Sequence, residues 1–328
     1  MTIRALKLPR DLVPLEKMIF RAFQYPENPD WSIQADEEEE IGRELKTLRR
    51  IWPVIRTLQI LSPSLKDLIR GFVWEEEGQI GGIVAAQRQG TTDAWGIGVV
   101  GVLPEFRRRG IARKLLTRTL DDLKARSAQR IVLGVIEKNV PAYSLYTSLG
   151  FNHYSSLVEF NSQSGEAPEE LSLPAGFEEA PLSRSDWKSR YMLEQRITPE
   201  DVTQYEPLEI GRFRPPLARR TLEPVMDRLQ RAKKSRFLYQ KSGSVVGLLT
   251  HLTSGSGKGT SSISAQLDPA QGELAPYLLA KAMRALLAIN PTLRIQFTVP
   301  VWMAPLEDAA RDLGFTERVR YHMLGLIP

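Results

Sequence analysis

The sequence predicts an α/β protein with a mixed β-sheet that is built twice in tandem. Apolar runs of strand length alternate with segments whose apolar residues recur at the helical period. Landmarks of the first half recur in the second half, and a length of 328 residues suits two domains. Because a stretch rich in Ser, Pro, Gly and Glu separates the halves, we expect a first domain over residues 1–163, a linker over 164–176 and a second domain over 177–328.

Composition limits the class of protein. Hydrophobic residues make up 42% of the chain, which is enough for buried cores and argues against global disorder. Cysteine is absent, so disulfides, a cysteine nucleophile and cysteine-based metal sites are excluded. No apolar run approaches the roughly 18 residues of a membrane span, and the N-terminal segment lacks the apolar stretch of a secretory signal. We therefore expect a cytoplasmic protein that does not associate with membranes.

The first elements indicate a strand followed by two helices. Thr2 to Leu8 alternates like a strand, and Asp11 is placed to cap a helix over Leu12–Phe23. The acidic run Asp36–Glu40 precedes apolar residues at helical spacing, where carboxylates favour the positive end of the helix dipole. Pro53 is expected to interrupt this second helix.

A hairpin and a further strand come next. The apolar runs Gly71–Trp74 and Ile80–Ala86 are joined by a polar turn that ends in Gly78, which is typical of a β-hairpin. Trp95–Leu103 is the next strand, and Leu157–Phe160 is expected to be the last strand of the first domain.

A strand end, a basic turn and a helix then form a predicted anion site. The strand ends before Pro104, and the turn contains Arg107–Arg109 and Gly110. The first N–H groups of the following helix have no internal partner, and the helix dipole is positive there. Gly110 has no Cβ, so a ligand can approach the backbone, and arginine side chains carry forked donors that suit phosphate oxygens.

A second motif lies downstream. The apolar strand Arg130–Val135 is followed by Asn139, by Tyr146 about two helical turns later, and by Gly150 and Phe151. The two motifs occur in a fixed order, so they can be compared with known families as a pair.

These two stretches resemble the two signatures of the GCN5-related N-acetyltransferases, the GNAT family. The pattern Arg107-x-x-Gly110-x-Ala112 is similar to the loop by which the family binds the pyrophosphate of acetyl-CoA. The resemblance covers roughly residues 1 to 160 and is dense over 97 to 151, and it implies tandem acyl-CoA N-acyltransferase domains. The residues that it assigns to acetyl-CoA binding are Gly101, Val102, Leu103, Arg107, Arg108, Arg109, Gly110, Ile111, Ala112, Arg113 and Asn139.

The resemblance also suggests the catalytic groups. Tyr146 is expected to be the general acid, since a tyrosine with an ordinary pKa of about 10 carries a proton that it can give to a leaving thiolate. The alternative for Tyr146 is a core aromatic with a satisfied hydroxyl. Asn139 bonds the cofactor, caps its helix, or does both. The general base stays open between Glu137, Asp93 and water, because related protein-amine acetyltransferases often carry Glu where this chain has Gly134.

The second half repeats the landmarks of the first. Phe237 follows Phe72 by 165 residues, and a Leu-Gly-Phe at 149–151 recurs at 313–315, one residue short of that offset. A tandem duplication explains this better than the chance recurrence of glycine-containing hairpins. The other pairs at the offset of 165 are Gly78 with Gly243, Gly82 with Gly247, and Pro104 with Pro269.

The second copy departs from the first where cofactor chemistry is expected. A ring at Tyr277 would fill the pyrophosphate space, and Glu273 would repel phosphates. We therefore predict a degenerate copy that completes the core and walls the acceptor site. The corresponding positions are Gly110 with Ala275 and Ala112 with Tyr277 and, after a one-residue deletion, Asn139 with Met303 and Tyr146 with Ala310.

The expected function is an N-acetyltransferase in the first copy. It would move the acetyl group of acetyl-CoA to a primary amine of a small molecule, a peptide or a protein, directly in a ternary complex; the family includes tandem enzymes that acetylate the cysteinyl amine of a thiol-sugar. The alternative is an acyl-CoA-binding sensor or scaffold without turnover. The net charge of +5 fits a groove for phosphates better than a nucleic-acid surface, for which no motif is present.

Other partners are constrained only weakly. Three histidines, His153, His251 and His322, are too scattered to predict a metal site, so no metal is expected. The chain could be a monomer or a homodimer, and the sequence does not choose between them.

Overall fold

The chain forms two compact units, each of which contains strands and helices. The computed structural model describes residues 1–61, 69–162, 165–214, 233–253 and 261–328. Unit 1 comprises residues 1–154 together with 204–214 and 322–328, and unit 2 comprises the other described residues between 155 and 321. Both units are α/β, as predicted.

Unit 1 is built on a mixed sheet. Its strands are β1 (Thr2–Ala5), β2 (Arg70–Glu76), β3 (Gln79–Arg88), β4 (Ala94–Val102) and β5 (Arg130–Ile136), and its helices are α1 (Leu12–Ala22), α2 (Ala35–Leu61), α3 (Ile111–Lys124) and α4 (Val140–Thr147). The strands lie in the order β1-β2-β3-β4-β5. The first four are antiparallel neighbours, and β5 runs parallel to β4.

The core of unit 1 forms where α3 packs on this sheet. The apolar residues of α3 recur at the helical period, and three of them, Leu115, Leu116 and Leu123, are fully buried. They pack with Trp95 and Ile131 of the adjacent strands β4 and β5. This packing fixes the start of α3 against the end of β4, which is where the predicted anion site lies.

Unit 2 repeats the arrangement. The elements of the chain after α4 are β6 (Asn152–Ser162), β7 (Phe177–Pro181), α5 (Trp187–Ile197), α6 (Glu200–Tyr205), α7 (Ile210–Phe213), β8 (Lys233–Lys241), β9 (Ser244–Thr253), β10 (Ser261–Leu267), α8 (Ala275–Leu287), β11 (Ile295–Pro300), α9 (Ala304–Asp312) and β12 (Thr316–Leu326). Of these, α7 and the last residues of β12 belong to unit 1. Within unit 2 the strand order is β6-β11-β10-β9-β8-β7, with β11 parallel to β10. Helix α8 takes the place of α3 and buries Leu278, Leu279 and Leu286.

The duplicated hairpin matches in detail. Both hairpins turn through two residues with positive φ, at Glu77–Gly78 (51° and 79°) and at Ser242–Gly243 (51° and 75°). This is the turn that suits the right-handed twist of two-residue hairpins. Both hairpins also carry a register shift at the same position, after Trp74 and after Tyr239. The predicted repeat therefore extends to local backbone geometry.

Two local expectations are wrong. Asp11 precedes α1 but makes no side-chain capping bond, because its carboxylate accepts hydrogen bonds from the Arg4 guanidinium (2.7 and 3.0 Å) and the Lys7 N–H (2.7 Å). Pro53 does not interrupt the second helix, since α2 runs through it. A proline removes only one backbone donor, and the rest of a 27-residue helix keeps its bonds.

The units are not contiguous in sequence, unlike the domains 1–163 and 177–328 that we expected. Residues 155–162 of β6 belong to unit 2, where Phe160 is fully buried. Residues 322–328 belong to unit 1, where Leu324 is fully buried beside β5. The hydrophobic patterns of these strands are equally good for either sheet, so pattern alone could not assign them.

Candidate active site

The central feature of unit 1 is a gap between β4 and β5. The two strands pair from Ala94 and Arg130 to Ile97 and Leu133, and no pairing is formed beyond that point in these two described strands. Strand β4 continues to Val102 along β3, so its other edge keeps free backbone groups. Strands that part in this way leave a slot whose rim offers N–H and C=O groups to an extended ligand.

A bulge shapes the inner end of the gap. The register of β3 against β4 passes from Ala85 with Val99 to Ala86 with Ile97, so Gly98 is the extra residue on β4. Bulges redirect the strand and its backbone groups. A Cβ at Gly98 would meet no atom within 4 Å, so the space beside the bulge is open.

The outer end of the gap meets the start of α3. A single 3-10 turn over Pro104–Phe106 leads into the basic turn, and Gly110 is the N-cap of α3 with φ 72°. That left-handed conformation suits glycine. No atom lies within 4 Å of the Cβ position of Gly110, so the helix terminus opens into free space. A helix terminus with free N–H groups and a positive dipole end favours an anion, so this geometry is compatible with the anion site that the sequence predicts.

The arginines of the turn have different roles from those expected of three equivalent phosphate ligands. Arg107 donates from Nε to the Val102 carbonyl (3.1 Å) and from Nη2 to the Ala22 carbonyl (2.8 Å). Arg109 donates from Nη2 to both carboxylate oxygens of Glu76 (3.1 and 2.9 Å). The side chain of Arg108 is exposed, and its backbone has a φ of 61°. Two of the three guanidinium groups are thus bound to protein.

Asn139 is the N-cap of α4. Its Oδ1 accepts a hydrogen bond from the Ala142 N–H at 3.3 Å, so the capping role that the sequence left open is present. The Nδ2 donors of Asn139 are still free to serve a ligand, since a cap uses only the oxygen.

Tyr146 lies in α4 with its ring buried and its hydroxyl unused. The residue is 6% exposed, and its ring meets Phe151 edge to face at 6.2 Å. The hydroxyl makes no hydrogen bond within the described part of the chain, yet it is not one of the fully enclosed polar atoms. Burial raises the pKa of Tyr146, and the nearby Tyr25 adds to the shift, so the hydroxyl keeps its proton. A buried, protonated and unpartnered hydroxyl is more typical of a reacting centre than of core packing.

The space beside Gly134 of β5, where the family resemblance suggests a carboxylate, is occupied by a residue of another strand. A Cβ at Gly134 would lie 3.4 Å from the Sδ atom of Met323 in β12. Of the two carboxylates considered as bases, Asp93 is paired with Arg88, and Glu137 faces His322 with 3.8 Å between Oε1 and Nε2. Both carboxylates that the sequence offers as bases therefore already face a side-chain partner.

Residues 204–214 also contribute to unit 1, although no pattern in the sequence predicts it. The ring of Tyr205 lies where a Cβ of Gly325 would be, with Cδ1 at 2.1 Å, so only glycine fits there. Tyr205 stacks on Tyr154 at 4.9 Å, and the Tyr154 hydroxyl donates to Glu206 at 2.6 Å. Met323 and Gly325 are two residues apart in β12, so they lie on the same face of the strand. The segment 204–214 therefore covers the face on which Met323 lies.

In unit 2 the corresponding region is packed. The N-cap of α8 is Leu274, which is fully buried. A Cβ at Gly272 would lie 3.1 Å from Pro305. The buried positions of α8 follow those of α3 by 164 residues rather than 165, so Gly110 corresponds to Leu274 and Ala112 to Pro276. The matched pairs are Ile111 with Ala275, Leu115 with Leu279, Leu116 with Ala280, Thr119 with Met283 and Leu123 with Leu287.

Tyr277 does not fill the pyrophosphate space, contrary to our expectation. Its hydroxyl donates to Glu179 at 3.1 Å, and its ring meets Tyr239 edge to face at 6.1 Å. Burial raises the pKa of Tyr277 to about 12, and the Glu179 charge adds to this. The leucine at the helix start, not the tyrosine, closes the site.

Comparison with known proteins identifies the type of domain. Residues 31–151 match the model of the acetyltransferase (GNAT) family. An N-alpha-acetyltransferase 30 of Schizosaccharomyces pombe is 39% identical over 83 residues, which is 25% of this chain and 55% of that protein. A mycothiol acetyltransferase of Thermobifida fusca is 37% identical over 105 residues, 31% of this chain and 29% of that one. The chain thus spans about half or less of these curated relatives.

Solved structures match the whole chain. A tandem GNAT protein from the clavulanic acid biosynthesis pathway aligns over 99% of this chain and 98% of its own, with a TM-score of 0.63 and 12% identity. A GCN5-related N-acetyltransferase from Sphaerobacter thermophilus aligns over 99% and 95%, with a TM-score of 0.64 and 14% identity. At such identities the likeness establishes the fold, and it covers both units.

Proposed function

We propose that this chain, which belongs to the acetyltransferase (GNAT) family in tandem-domain form, is an N-acetyltransferase that acts from unit 1. It would transfer the acetyl group of acetyl-CoA to a primary amine in a ternary complex. The observations that carry the proposal are the gap between β4 and β5, the open helix terminus at Gly110, and the Tyr146 hydroxyl of α4, which has no hydrogen-bond partner among the described residues. A protein that only senses acyl-CoA would need the gap but not that hydroxyl.

The cofactor would be held mainly by backbone groups. The free N–H groups from Arg108 to Arg113 face the open space at Gly110 and suit the pyrophosphate. The edge of β4 that does not pair with β3 would bond the amides of the pantetheine arm, although the Val102 carbonyl accepts from Arg107 and the Leu103 N–H donates to the Gly81 carbonyl (3.0 Å). The Nδ2 of Asn139 would donate to the same arm, while its oxygen keeps the helix capped. Arg108 and Arg113 add positive charge on the exposed side of the turn.

Tyr146 would act on the leaving group. The amine nitrogen forms a bond to the thioester carbon, and the carbon–sulfur bond breaks as CoA thiolate departs. The Tyr146 hydroxyl gives its proton to that sulfur and is later reprotonated from solvent, while the proton released by the amine passes to water. Because burial raises its pKa, Tyr146 is protonated over the whole neutral range.

Unit 2 would bind no cofactor, because the buried Leu274 stands at the N-cap position that is an open glycine in unit 1, and the half-buried Pro305 packs against Gly272. The acceptor is an amine by analogy with relatives that are named as N-alpha-acetyltransferase and as [ribosomal protein bS18]-alanine N-acetyltransferase. A peptide or protein amine and a small amine both remain within the proposal. In the part of the chain that the structure describes, no helix is both long and apolar enough to cross a membrane.

The test is a calorimetric titration of acetyl-CoA into the full chain, followed by an amine screen that detects release of the CoA thiol. We expect one acetyl-CoA site per chain and turnover with at least one primary amine. Two sites would contradict the assignment of unit 2. Binding without turnover across small amines and free peptide N-termini would favour the sensor, and no binding would leave a scaffold role.

A further inference from the structure

The geometry points to a positioning role for Arg107: it does not bind the cofactor phosphates but holds Tyr25, which provides a second hydroxyl at the reacting centre beside Tyr146. This inference rests on the proposed acetyl transfer and adds to it a residue on the acceptor side. It assigns different functions to neighbouring arginines of the same turn.

The Arg107 guanidinium joins three separate parts of unit 1. It bonds the carbonyl of Val102 at the end of β4 (3.1 Å) and the carbonyl of Ala22 at the end of α1 (2.8 Å). Its Cζ also lies over the ring of Tyr25, 5.6 Å from the centroid, which is within the range of a cation–π contact. The backbone N–H of Arg107 is used as well, by the Pro104 carbonyl at 3.1 Å. These donors are therefore committed to protein.

Tyr25 is presented by an ordered loop, residues 23–33. The loop closes on itself through the Ile33 N–H, which donates to the Phe23 carbonyl at 3.2 Å, and the Tyr25 N–H donates to the Ser32 hydroxyl at 2.8 Å. The ring of Tyr25 meets Trp31 edge to face at 5.8 Å. These bonds fix the side chain of Tyr25 before any ligand arrives.

The loop stands at the rim of the gap. A Cβ at Gly101 of β4 would lie 3.2 Å from the ring of Phe23, so the first residue of the loop touches the free part of that strand. The Tyr25 hydroxyl makes no hydrogen bond to the described residues. It lies near enough to Tyr146 to raise the pKa of that residue by electrostatic interaction. The contacts of Phe23 with Gly101 and of Arg107 with Val102 and the Tyr25 ring thus place Tyr25 beside the end of β4 that does not pair with β5.

The two hydroxyls suit different parts of the reaction. Tyr146 is placed to protonate the thiolate, so Tyr25 is free to accept a hydrogen bond from the attacking amine and to orient its lone pair toward the thioester. Burial raises the pKa of Tyr25 and the Arg107 charge partly opposes this, so the hydroxyl stays protonated and does not act as a base. Orientation alone contributes substantially to such transfers.

The experiment compares Arg107→Lys, Arg107→Met and the matched control Arg108→Met in the full chain. The readouts are acetyl-CoA affinity by calorimetry and, with the best amine from the screen, kcat and KM from thiol release. We expect both Arg107 variants to keep acetyl-CoA affinity within about threefold and to lose about tenfold or more in kcat/KM for the amine. Lysine should not rescue, because a point charge cannot bond two carbonyls as the fork does.

A phosphate ligand would behave differently. Loss of acetyl-CoA affinity in Arg107→Met that Arg107→Lys restores, with an unchanged KM for the amine, would overturn the assignment. The affinity readout works without turnover, so it separates failure of this inference from failure of the proposed function.

Tyr25→Phe provides a second test that does not depend on the stability of the Arg107 variants. We expect about tenfold lower kcat/KM for the amine with unchanged acetyl-CoA affinity. In a cycle with Tyr146→Phe the losses should not add, since both hydroxyls act on one reacting centre. Full activity of Tyr25→Phe, or strictly additive losses, would remove Tyr25 from the reacting centre.

Discussion

The two units share a hairpin, a bulge and a helix, and they differ at the residue where that helix begins. In unit 1 the N-cap is Gly110, with φ 72° and open space around it. In unit 2 the N-cap is Leu274, which is right-handed and fully buried. The N-cap position that is an open glycine in unit 1 is thus a core leucine in unit 2. The fold survives this change because α8 gains burial.

The second difference lies in the helix after the parallel strand. In unit 1, α4 is capped by Asn139 and carries Tyr146 with its hydroxyl free. In unit 2, α9 begins after Met303, which has no capping side chain, and Ala310 is buried where the tyrosine would be. Both differences replace polar function by apolar packing. Unit 2 therefore keeps the fold of unit 1 while apolar side chains occupy these two positions.

The largest expected effect comes from closing the open helix terminus of unit 1. In Gly110→Tyr, acetyl-CoA affinity should fall by about a hundredfold or more, because the ring occupies the anion site and the φ of 72° strains any side chain. Calorimetric titration measures the loss.

The matched control is Gly243→Tyr in the unit 2 hairpin. Gly243 has a similar φ of 75° and no atom within 4 Å of its Cβ position, so the strain is comparable but the residue belongs to unit 2. We expect its acetyl-CoA affinity to equal that of the unmodified chain. Equal affinity in Gly110→Tyr would show that the cofactor binds elsewhere.

The second effect concerns the cores. Leu324→Ala removes a fully buried side chain from unit 1 and should cost about 2–5 kcal/mol of unfolding free energy. Leu279→Ala is the matched change in unit 2 and should cost a similar amount. Hydrogen exchange resolved by peptide should show the loss of protection in β5 for Leu324→Ala and in β10 for Leu279→Ala. Loss of protection in β10 alone for Leu324→Ala would contradict the assignment of residues 322–328 to unit 1.

These units also show how far the sequence is informative. The duplicated hairpin, helix α3, strand β5 and the cradle at Gly110 follow from local patterns of apolar residues, turns and glycines, and the structure contains them. The family resemblance depended on the same residues. Local chemistry was enough because each of these features lies within a short stretch of chain.

Other features depended on distant residues and could not be read from sequence. Arg107 looked like a phosphate ligand, and only the fold shows that it bonds Ala22 and lies over Tyr25. The role of Asp11 depends on Arg4, which lies seven residues away in the sequence and competes with the cap. The return of residues 322–328 to unit 1 leaves no local signal. Gly325 could have suggested that another side chain approaches the backbone closely at this position, but the sequence does not indicate that this side chain is Tyr205.

The third effect is on turnover. Tyr146→Phe should leave acetyl-CoA affinity unchanged and lower kcat by about a hundredfold, since it removes the proton for the thiolate. Tyr143→Phe is the control on the same helix, where the ring packs against His322 at 5.5 Å. It should retain nearly full turnover. If both variants turn over at the unmodified rate, Tyr146 is a packing residue, and the contrast with Ala310 in unit 2 loses its catalytic meaning.

The smallest effect compares the edge strands, each of which carries an ion pair. Burial opposes ionisation of Asp11, but the bonds from Arg4 and the Lys7 N–H outweigh it and lower its pKa. For Glu179 at the edge of unit 2, burial is likewise outweighed, here by the Lys281 ammonium, and its pKa is also lowered. Asp11 is 2% exposed and the Glu179 side chain is 25% exposed, so solvent weakens the second pair more.

A carboxylate with a lowered folded pKa stabilises the protein above its unfolded pKa of about 4, and that contribution is lost as the pH falls through the folded value. Asp11→Asn should therefore lose about 1–3 kcal/mol at pH 7, and Glu179→Gln less. The deficit of each variant should shrink below pH 4, because the unmodified carboxylate is then protonated as well. Chemical denaturation at pH 7 and pH 3 measures this. A deficit that is larger for Glu179→Gln, or that persists undiminished at pH 3, would mean that packing rather than charge holds the edge strands.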